Sequence, residues 1–544
     1  MIDFSFREAS AIFLLIWYIV ILVAAYSGFF ALMNRYRKPP SFPLNERDME
    51  PVLIIRPLKG IEPEMYSCLE SSFLQNYPQN KFEILFCVDE TNDAAIPVVQ
   101  SLIQRYPLVR AQILVSKHDP ETNQSTQHFG PNPKVNNLAK GFRAAKHDIL
   151  WVMDSNVWAS PNVLRNSVKT LNYNTNNGVA VLGSRRNKLV HHVPLALSVS
   201  PQAPTDSEYV TNSTPNSSSS SSLSISEPKS TSKLISPNST STSSSSSIPL
   251  AQLSLSIPLL SISLPLSISP PRRRLLKKFG AKLDEMFLLT SHLKFYVSLN
   301  NLAVAPCVNG KSNIYRRSDL DLAVAAIPIK HSPFFNTPAV RNDALQLTRE
   351  AKPGNSIKFF SKYIGEDNMI GIALWENLHG RTGLTSDVVI QPLSGTDNTI
   401  SNYAERRVRW LRVRKYMVLA ATLIEPTTES IICGVYGTYA VSTLFFNQWF
   451  NWKYFAFHLA IWILTDYCQY YTLIYNIASF EHPPKWLARH NLPPLKRPFF
   501  SWIQVWFMRE LLALPIWISA MCGHEIDWRG RPFKIKPDLS AEEL

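Results

Sequence analysis

The chain has 544 residues, 45% of them hydrophobic and 11% aromatic, with a formal net charge of +14. That length allows two or three domains, and the composition suits mixed membrane and globular content better than an all-membrane bundle. The positive excess suits anionic lipid or nucleotide phosphates; nucleic acid is disfavoured, because no zinc, helix-turn-helix or RNA-recognition pattern accompanies the charge.

In chain order, residues 1–10 are expected to be a lumenal N-terminus, and 11–33 form an uncharged apolar run long enough to span a bilayer. Arg35, Arg37 and Lys38 follow it, which places that end in the cytosol. A signal peptide would carry a basic stretch before the run and a small-residue cleavage site after it. From Pro51 the pattern changes. VLIIRPLKG, FEILFCVDE, AQILVSK and DILWVMDS are short apolar runs, separated by helix-like stretches such as 63–75 and 94–106. This alternation predicts an α/β domain with a parallel sheet over 51–400. Ligands of such sheets sit at the carboxyl ends of the strands, where Asp89, Asp93 and Asp154 fall.

Residues 201–271 are Ser/Thr/Pro/Asn-rich and are expected to be a disordered insertion in that domain. RRRLLKKFGAKLDEMF then predicts a basic helix. Residues 401–430 form an interfacial segment containing ERRVRWLRVRK, and 431–446 and 454–475 are membrane segments. The polar loop 482–497 carries Lys485, Arg489, Lys496 and Arg497 and should be cytosolic. A third apolar stretch, 505–522, contains Arg509 and Glu510, charges that are costly in lipid unless paired or near the interface. The tail, 523–544, carries Arg529, Arg531, Lys534 and Lys536, which favours the cytosol. A re-entrant or interfacial segment keeps that tail cytosolic; a simple third span, the alternative, puts it in the lumen. The six cysteines show no CxxC spacing, which points to reduced thiols rather than a zinc site or a disulfide framework.

Three acidic sites can carry chemistry: VDETND with Asp89 and Asp93, WVMDSNV with Asp154 and Asn156, and GEDNMIG with Glu366 and Asp367. A carboxylate at a strand end, such as Asp154, can hold a hard divalent cation against a diphosphate. Arg406, Arg409 and Trp410 form an RxxRW pattern. It reads either as a helix anchored to lipid headgroups or as a clamp whose guanidinium forks match phosphate.

The order VDETND, DSN, GED, RxxRW and then membrane segments resembles the ceramide glucosyltransferase family, inverting glycosyltransferases of the GT-A fold. The resemblance covers nearly the whole chain except the Ser-rich insertion. It rests also on RPLKGIEP, PKVNNLAKG, FLLTSHLKFYVSLNN, PCVNGKSNIYRRSDL, LIEPTTES and the terminal WFMRELL, IDWRGRPFKIK and SAEEL. It implies a GT-A domain with an N-terminal transmembrane helix and C-terminal membrane helices, transferring glucose from UDP-glucose to the primary hydroxyl of ceramide. It implies a multi-pass Golgi protein, with the endoplasmic reticulum open, whose catalytic domain faces the cytosol; the bilayer is a partner and self-association is open.

The same resemblance assigns residue roles. Asp367 is implied as the catalytic base. Asp93, or Asp89 by the wider superfamily pattern, Lys134, Asn137 and Asp154 are implied to bind the donor. Arg406, Arg409 and Trp410 are implied to hold the diphosphate and shape the acceptor entrance. His292, Cys307 and Glu366 belong to the substrate pocket. A divalent cation, Mg or Mn, is implied at Asp154 with Asn156, although DSN lacks the second carboxylate of a DxD triplet. Another lipid glycosyltransferase, a processive polysaccharide synthase and an inactive membrane scaffold are the competing readings.

Overall fold

The computed structural model describes residues 6–37, 45–117, 128–181, 183–199, 279–330, 332–395, 398–480, 483–488, 498–528 and 531–544. The four apolar runs are strands: β1, Val52–Pro57; β2, Phe82–Val88; β3, Arg110–Val115; and β4, Ile149–Met153. β1 lies between β2 and β4, parallel to both, with Val52 opposite Phe82 on one side and Ile149 on the other. β3 extends the parallel set at the outer edge. The sheet has eight strands, in the order β3, β2, β1, β4, Ser312–Arg316, Arg186–Val199, Gly380–Ser394 and Trp158–Ala159. Ser312–Arg316 runs antiparallel to both of its neighbours.

Every residue of β1, β2 and β4 is buried, as continuous apolar runs in a sheet covered on both faces should be. Helices α2, Met65–Phe73, and α3, Ala95–Arg105, stand where the intervening stretches predicted them. The architecture is the GT-A-type α/β domain expected from the sequence, with apolar helices at both ends of the chain.

The N-terminal helix α1, Phe6–Arg35, is longer than the 11–33 run. It packs against Ser430–Phe446 and against Ser291–Leu302 of the catalytic domain. Gly28 permits the second contact: a Cβ there would lie 2.0 Å from the Lys294 carbonyl oxygen. The membrane segment predicted over 454–475 is one helix, Trp452–Ala478. Two ends of this bundle can be told apart. At one, Arg7 stacks 4.6 Å over Trp449 and Ser10 meets the Tyr439 hydroxyl at 3.1 Å. At the other, Asn476 donates to the Tyr36 carbonyl at 2.7 Å, beside the catalytic domain.

Between membrane and catalytic elements lies a buried ion pair, Lys294 to Asp466 at 2.6 Å, with the Trp506 indole donating to the same carboxylate at 2.8 Å. Helix Phe499–Met521 is unbroken through Pro515. Its first residue packs on Tyr467, ring centroids 5.2 Å apart, and its last carbonyl accepts from Lys415 at 3.1 Å.

The tail, read from sequence only by its four cationic residues, folds. Glu525–Trp528, Arg531–Ile535 and Ala541–Glu543 form an antiparallel three-stranded sheet. Helix Phe279–Leu289 is almost wholly buried instead of basic and exposed. The cationic residues 272–278, the Ser-rich insertion 201–271 and most of the 482–497 loop lie outside the described residues.

Candidate active site

The site is assembled where β4 ends. Asp154 follows Met153, and its backbone N–H donates to the Lys311 carbonyl at 3.1 Å. Beside it begins helix α4, Pro133–Ala144. Asn132 caps that helix by accepting from the N–H groups of Lys134 and Val135, and Pro133 occupies the first helical position. The Asn132 amide nitrogen donates to the Tyr363 carbonyl at 2.7 Å and to Glu366 Oε2 at 3.1 Å. One residue thus starts α4 and grips the start of helix Glu366–Asn377. Glu366 and Asp367 occupy the first turn of that helix, where the backbone dipole favours negative charge.

Lys134 ties the two acidic motifs together. Its Nζ lies 2.9 Å from Asp154 Oδ1 and 2.8 Å from Glu366 Oε1. Lys311 holds the other Asp154 oxygen at 3.0 Å. Burial opposes ionisation of Asp154, but the two ammonium groups overcome it and hold the carboxyl well below the usual carboxylate range. Asp367 goes the other way. Burial, then the neighbouring Glu366 charge, pushes it up to about 7, with Lys134 opposing. Its carboxylate faces Gly310, where an added Cβ would lie 2.9 Å from Oδ2. A partly open cavity with an empty volume of about 280 Å³ is lined by Lys134, Gly310, Asn313, Tyr315, Glu366 and Asp367.

His292 is stacked on Tyr296 and meets the Phe287 ring at a tilt, with centroids at 5.3 and 5.2 Å. Burial, then the charges of Arg407 and Arg414, pushes it down to about 3, so the imidazole is neutral. Its Nδ1 is buried and has no hydrogen-bond partner among the described residues. Burial raises the Cys307 thiol, which makes it a poor nucleophile.

Other sequence-predicted residues have different partners. Both Asp93 oxygens accept from the Gly60 N–H at 3.0 Å, and one also accepts from Ala95 N–H at 2.8 Å. Asp93 therefore ties the loop after β1 to the start of the next helix. Asn137 donates to the carbonyls of Leu58 and Cys87 and joins the ends of β1 and β2. Asp89 is exposed just past β2. Arg406 pairs with Asp284, Arg409 donates to the Asp527 carbonyl at 3.2 Å, and Trp410 packs on the hydrophobic core. The structure thus brings together Lys134, Asp154, Glu366 and Asp367. It adds Lys311 and Asn132, which sequence reading did not single out.

Asp154 and Asn156 are the oxygen donors nearest to hand for a divalent cation. Asn156 Oδ1 is buried with no partner among the described residues, while its amide nitrogen donates to Glu62 at 3.3 Å. One carboxylate and one uncommitted amide oxygen are donors that a hard cation accepts. Among the described residues no group of three or more His, Cys, Asp or Glu side chains converges as a cation cage. Phosphate oxygens and water would have to complete the coordination.

Residues 16–188 and 354–541 match the model of glycosyl transferase family 21. A ceramide glucosyltransferase of Candida albicans is 55% identical, over 99% of this chain and 98% of its own. One of Komagataella phaffii is 44% identical, over 98% and 92%, and one of Pyricularia oryzae is 32% identical, over 97% and 94%. Among solved structures, a mannosyltransferase from Pyrobaculum calidifontis covers 95% of this chain and 98% of its own. Its identity is 13% and its TM-score 0.36, too low to carry an argument about the site.

Proposed function

The chain belongs to glycosyl transferase family 21 and glucosylates ceramide, and we propose that its donor is UDP-glucose and that Asp367 is the base of a single inverting displacement. The observation that carries this reading is the Asp367 carboxyl: half-buried, pushed up to about 7, and held in the same cavity as Lys134 and Glu366. A base poised near neutrality is suited to taking a proton from an alcohol within hydrogen-bond reach. The ceramide primary hydroxyl gives its proton to Asp367 as its oxygen attacks the anomeric carbon opposite UDP. The bond from that carbon to the diphosphate oxygen breaks, its electron pair leaves with UDP, and the α-linked donor becomes a β-glucoside.

Charge grows on the leaving diphosphate, where preorganised cations are most effective. Lys134 and Lys311 are the cations nearest the acids. Arg406 and Arg409 would have to release Asp284 and Asp527 to join them. A divalent cation, Mg or Mn, would be held by Asp154 and Asn156 and would supply further positive charge to the diphosphate. Asp89, Asp93 and Asn137 are proposed for the nucleoside side of the donor, and His292, Cys307 and Trp410 for the acceptor side.

The protein is a membrane protein by its apolar helices. We place its catalytic domain on the cytosolic face of the Golgi membrane, with the N-terminus and the 447–451 link in the lumen.

The test is product formation by the purified protein in lipid nanodiscs. Short-chain ceramide is supplied with UDP-glucose or UDP-galactose, with and without chelator, with Asp367→Asn alongside. β-Glucosylceramide from the wild type alone supports donor, reaction and base together. Galactosylceramide, a polymer, or equal product from the variant would overturn the reading.

A further inference from the structure

A second cavity lies outside the acid cluster. It is narrow and partly open, and sits between helix Ile400–Met417, the 425–429 turn and helix Phe499–Met521. Phe287, Leu411, Ile516 and Trp517 give it apolar walls, and Arg407 and Arg509 bring charge to it.

These charges are paired; Arg407, Glu429, Arg509 and Glu510 are buried, and Arg414 and Glu425 are half-buried. Arg407 and Arg414 meet Glu425 at 3.3 and 2.7 Å, Arg509 meets Glu429 at 2.7 Å, and Glu510 contacts Arg509. Arg509 is 1% exposed and Glu429 7%. Three arginines face three glutamates, so the cluster carries no net charge. Keeping such a set out of water costs stability unless every member is satisfied. One is not: the Arg509 Nε–H is buried and finds no acceptor among the described residues.

A charge-balanced cluster does not select an anionic headgroup. It suits a neutral one that both accepts and donates hydrogen bonds, as an amide with hydroxyls does. The outer side of these elements is apolar and exposed at Leu423, Ile424, Leu514 and Ile518, which would suit alkyl chains. The inner wall leads toward the acids. Arg407 lies 3.5 Å over the Phe287 ring, Phe287 packs at a tilt on His292, and Cys307 feels the charges of both Arg414 and Asp367.

We propose that this cavity seats the amide-and-hydroxyl head of the ceramide acceptor. Arg509 donates from Nε–H to the amide carbonyl, Glu425 accepts from a hydroxyl, and the chains leave past Leu423 and Ile518 into lipid. The proposal rests on the ceramide transferase reading above and adds the acceptor's place.

The test uses the full-length protein in nanodiscs, with a ceramide bearing a photoactivatable diazirine near the amide. After illumination, labelled peptides are mapped, and initial rates are measured for wild type and for Ala513→Trp, which fills the cavity from its lining. Label on 403–429 or 509–521, and a ceramide KM raised about tenfold with the donor KM within about twofold, are expected. Label confined elsewhere overturns the proposal even if the variant misfolds, and so does an unchanged ceramide KM in a folded variant. A wild type that makes no glucosylceramide would sink the transferase reading instead, while the label map would still report on the cavity.

Discussion

Lys134 holds two carboxylates and lowers the proton affinity of a third, and this sets the pH behaviour of the site. Asp367 sits at about 7 because burial and Glu366 raise it more than Lys134 lowers it. A base must be ionised, so kcat/KM should rise about tenfold per pH unit below 7 and level off above it. Lys134→Met removes a charge that favours the carboxylate, so that limb should move to higher pH; a limb that stays in place would separate Lys134 from Asp367. Asp367→Asn should cost roughly 10²–10⁴-fold in turnover, the usual worth of a general base, with UDP binding nearly intact by calorimetry. The sign of its stability effect is opposite. The folded-state value of Asp367 lies above the ordinary value of about 3.9. Native stability from proton binding is therefore full below that ordinary value and lost as pH rises through about 7. Thermal unfolding at pH 8 should accordingly show Asp367→Asn more stable than wild type. Gly310→Ala would put a Cβ 2.9 Å from Asp367 Oδ2. It should lower kcat by about 10²-fold through misplacement of the base, with little change in donor KM. The acidic and lysine members of the site were legible as strand-end and helix-start residues. Lys311 was not, because its choice of Asp154 is made by the antiparallel return of Ser312–Arg316 beside β4, which no local pattern announces. Asn132 could have been found, since Asn followed by Pro before a helix is a start signal.

At the scale of elements, the C-terminal sheet acts on the catalytic motif from behind. Ile526, Phe533, Ile535 and Ala541 pack with Ile364, Val413 and Tyr416. Ser540 bridges to Tyr363, and Leu539 joins the core that contains Met369 and Ile370. Ile364 and Tyr363 immediately precede the Gly-Glu-Asp turn, so the sheet fixes the segment that presents Asp367. Phe533 is 1% exposed, and Phe533→Ala should destabilise the sheet by about 3–5 kcal/mol, the usual cost of emptying a buried aromatic site. Hydrogen exchange should then quicken over 525–543 and 360–368, with kcat reduced and α4 unaffected. Exchange limited to 525–543 with full activity would leave the sheet without a positioning role. The long periodic elements were readable because burial on both faces writes continuous apolar runs into β1, β2 and β4. The tail sheet was not. Its strands span four, five and three residues, too short for an apolar alternation to stand out from the charged residues around them. The arginine-rich helix was legible as an element but not in its partners. Arg409, Arg412 and Lys415 donate to carbonyls of Asp527, Ser519 and Gly523, so part of the cationic cluster serves to dock the C-terminal region.

On the scale of the whole molecule, the course of Phe499–Met521 decides where the chain ends. Its 23 residues would reach about 35 Å, enough to cross a bilayer. Its contacts argue against crossing. It begins against Tyr467, Trp502 packs on Tyr470, and the helix carrying those tyrosines reaches Tyr36 and the catalytic domain a few residues on. At its middle Arg509 pairs with Glu429, at Trp517 the indole donates to Thr422, and at its end Lys415 binds the Met521 and Gly523 carbonyls. Both ends therefore touch elements on the catalytic side, while Phe500, Leu511 and Ile518 face outward and are apolar. Such a helix is expected to lie along the interface, its paired charges inward and its apolar face toward lipid. The expected outcome is read with a membrane-impermeant maleimide on sealed vesicles whose cytosolic face is outward. Cys522 is exposed, whereas Cys68, Cys87 and Cys433 are buried, so native Cys522 should label without detergent. Trp449→Cys, placed at the far end of the bundle beside Arg7, should add label only after the vesicles are opened. Labelling of Cys522 that requires detergent would make Phe499–Met521 a third span. It would also pull the tail sheet away from the Asp367 turn, so the positioning role and the topology stand or fall together.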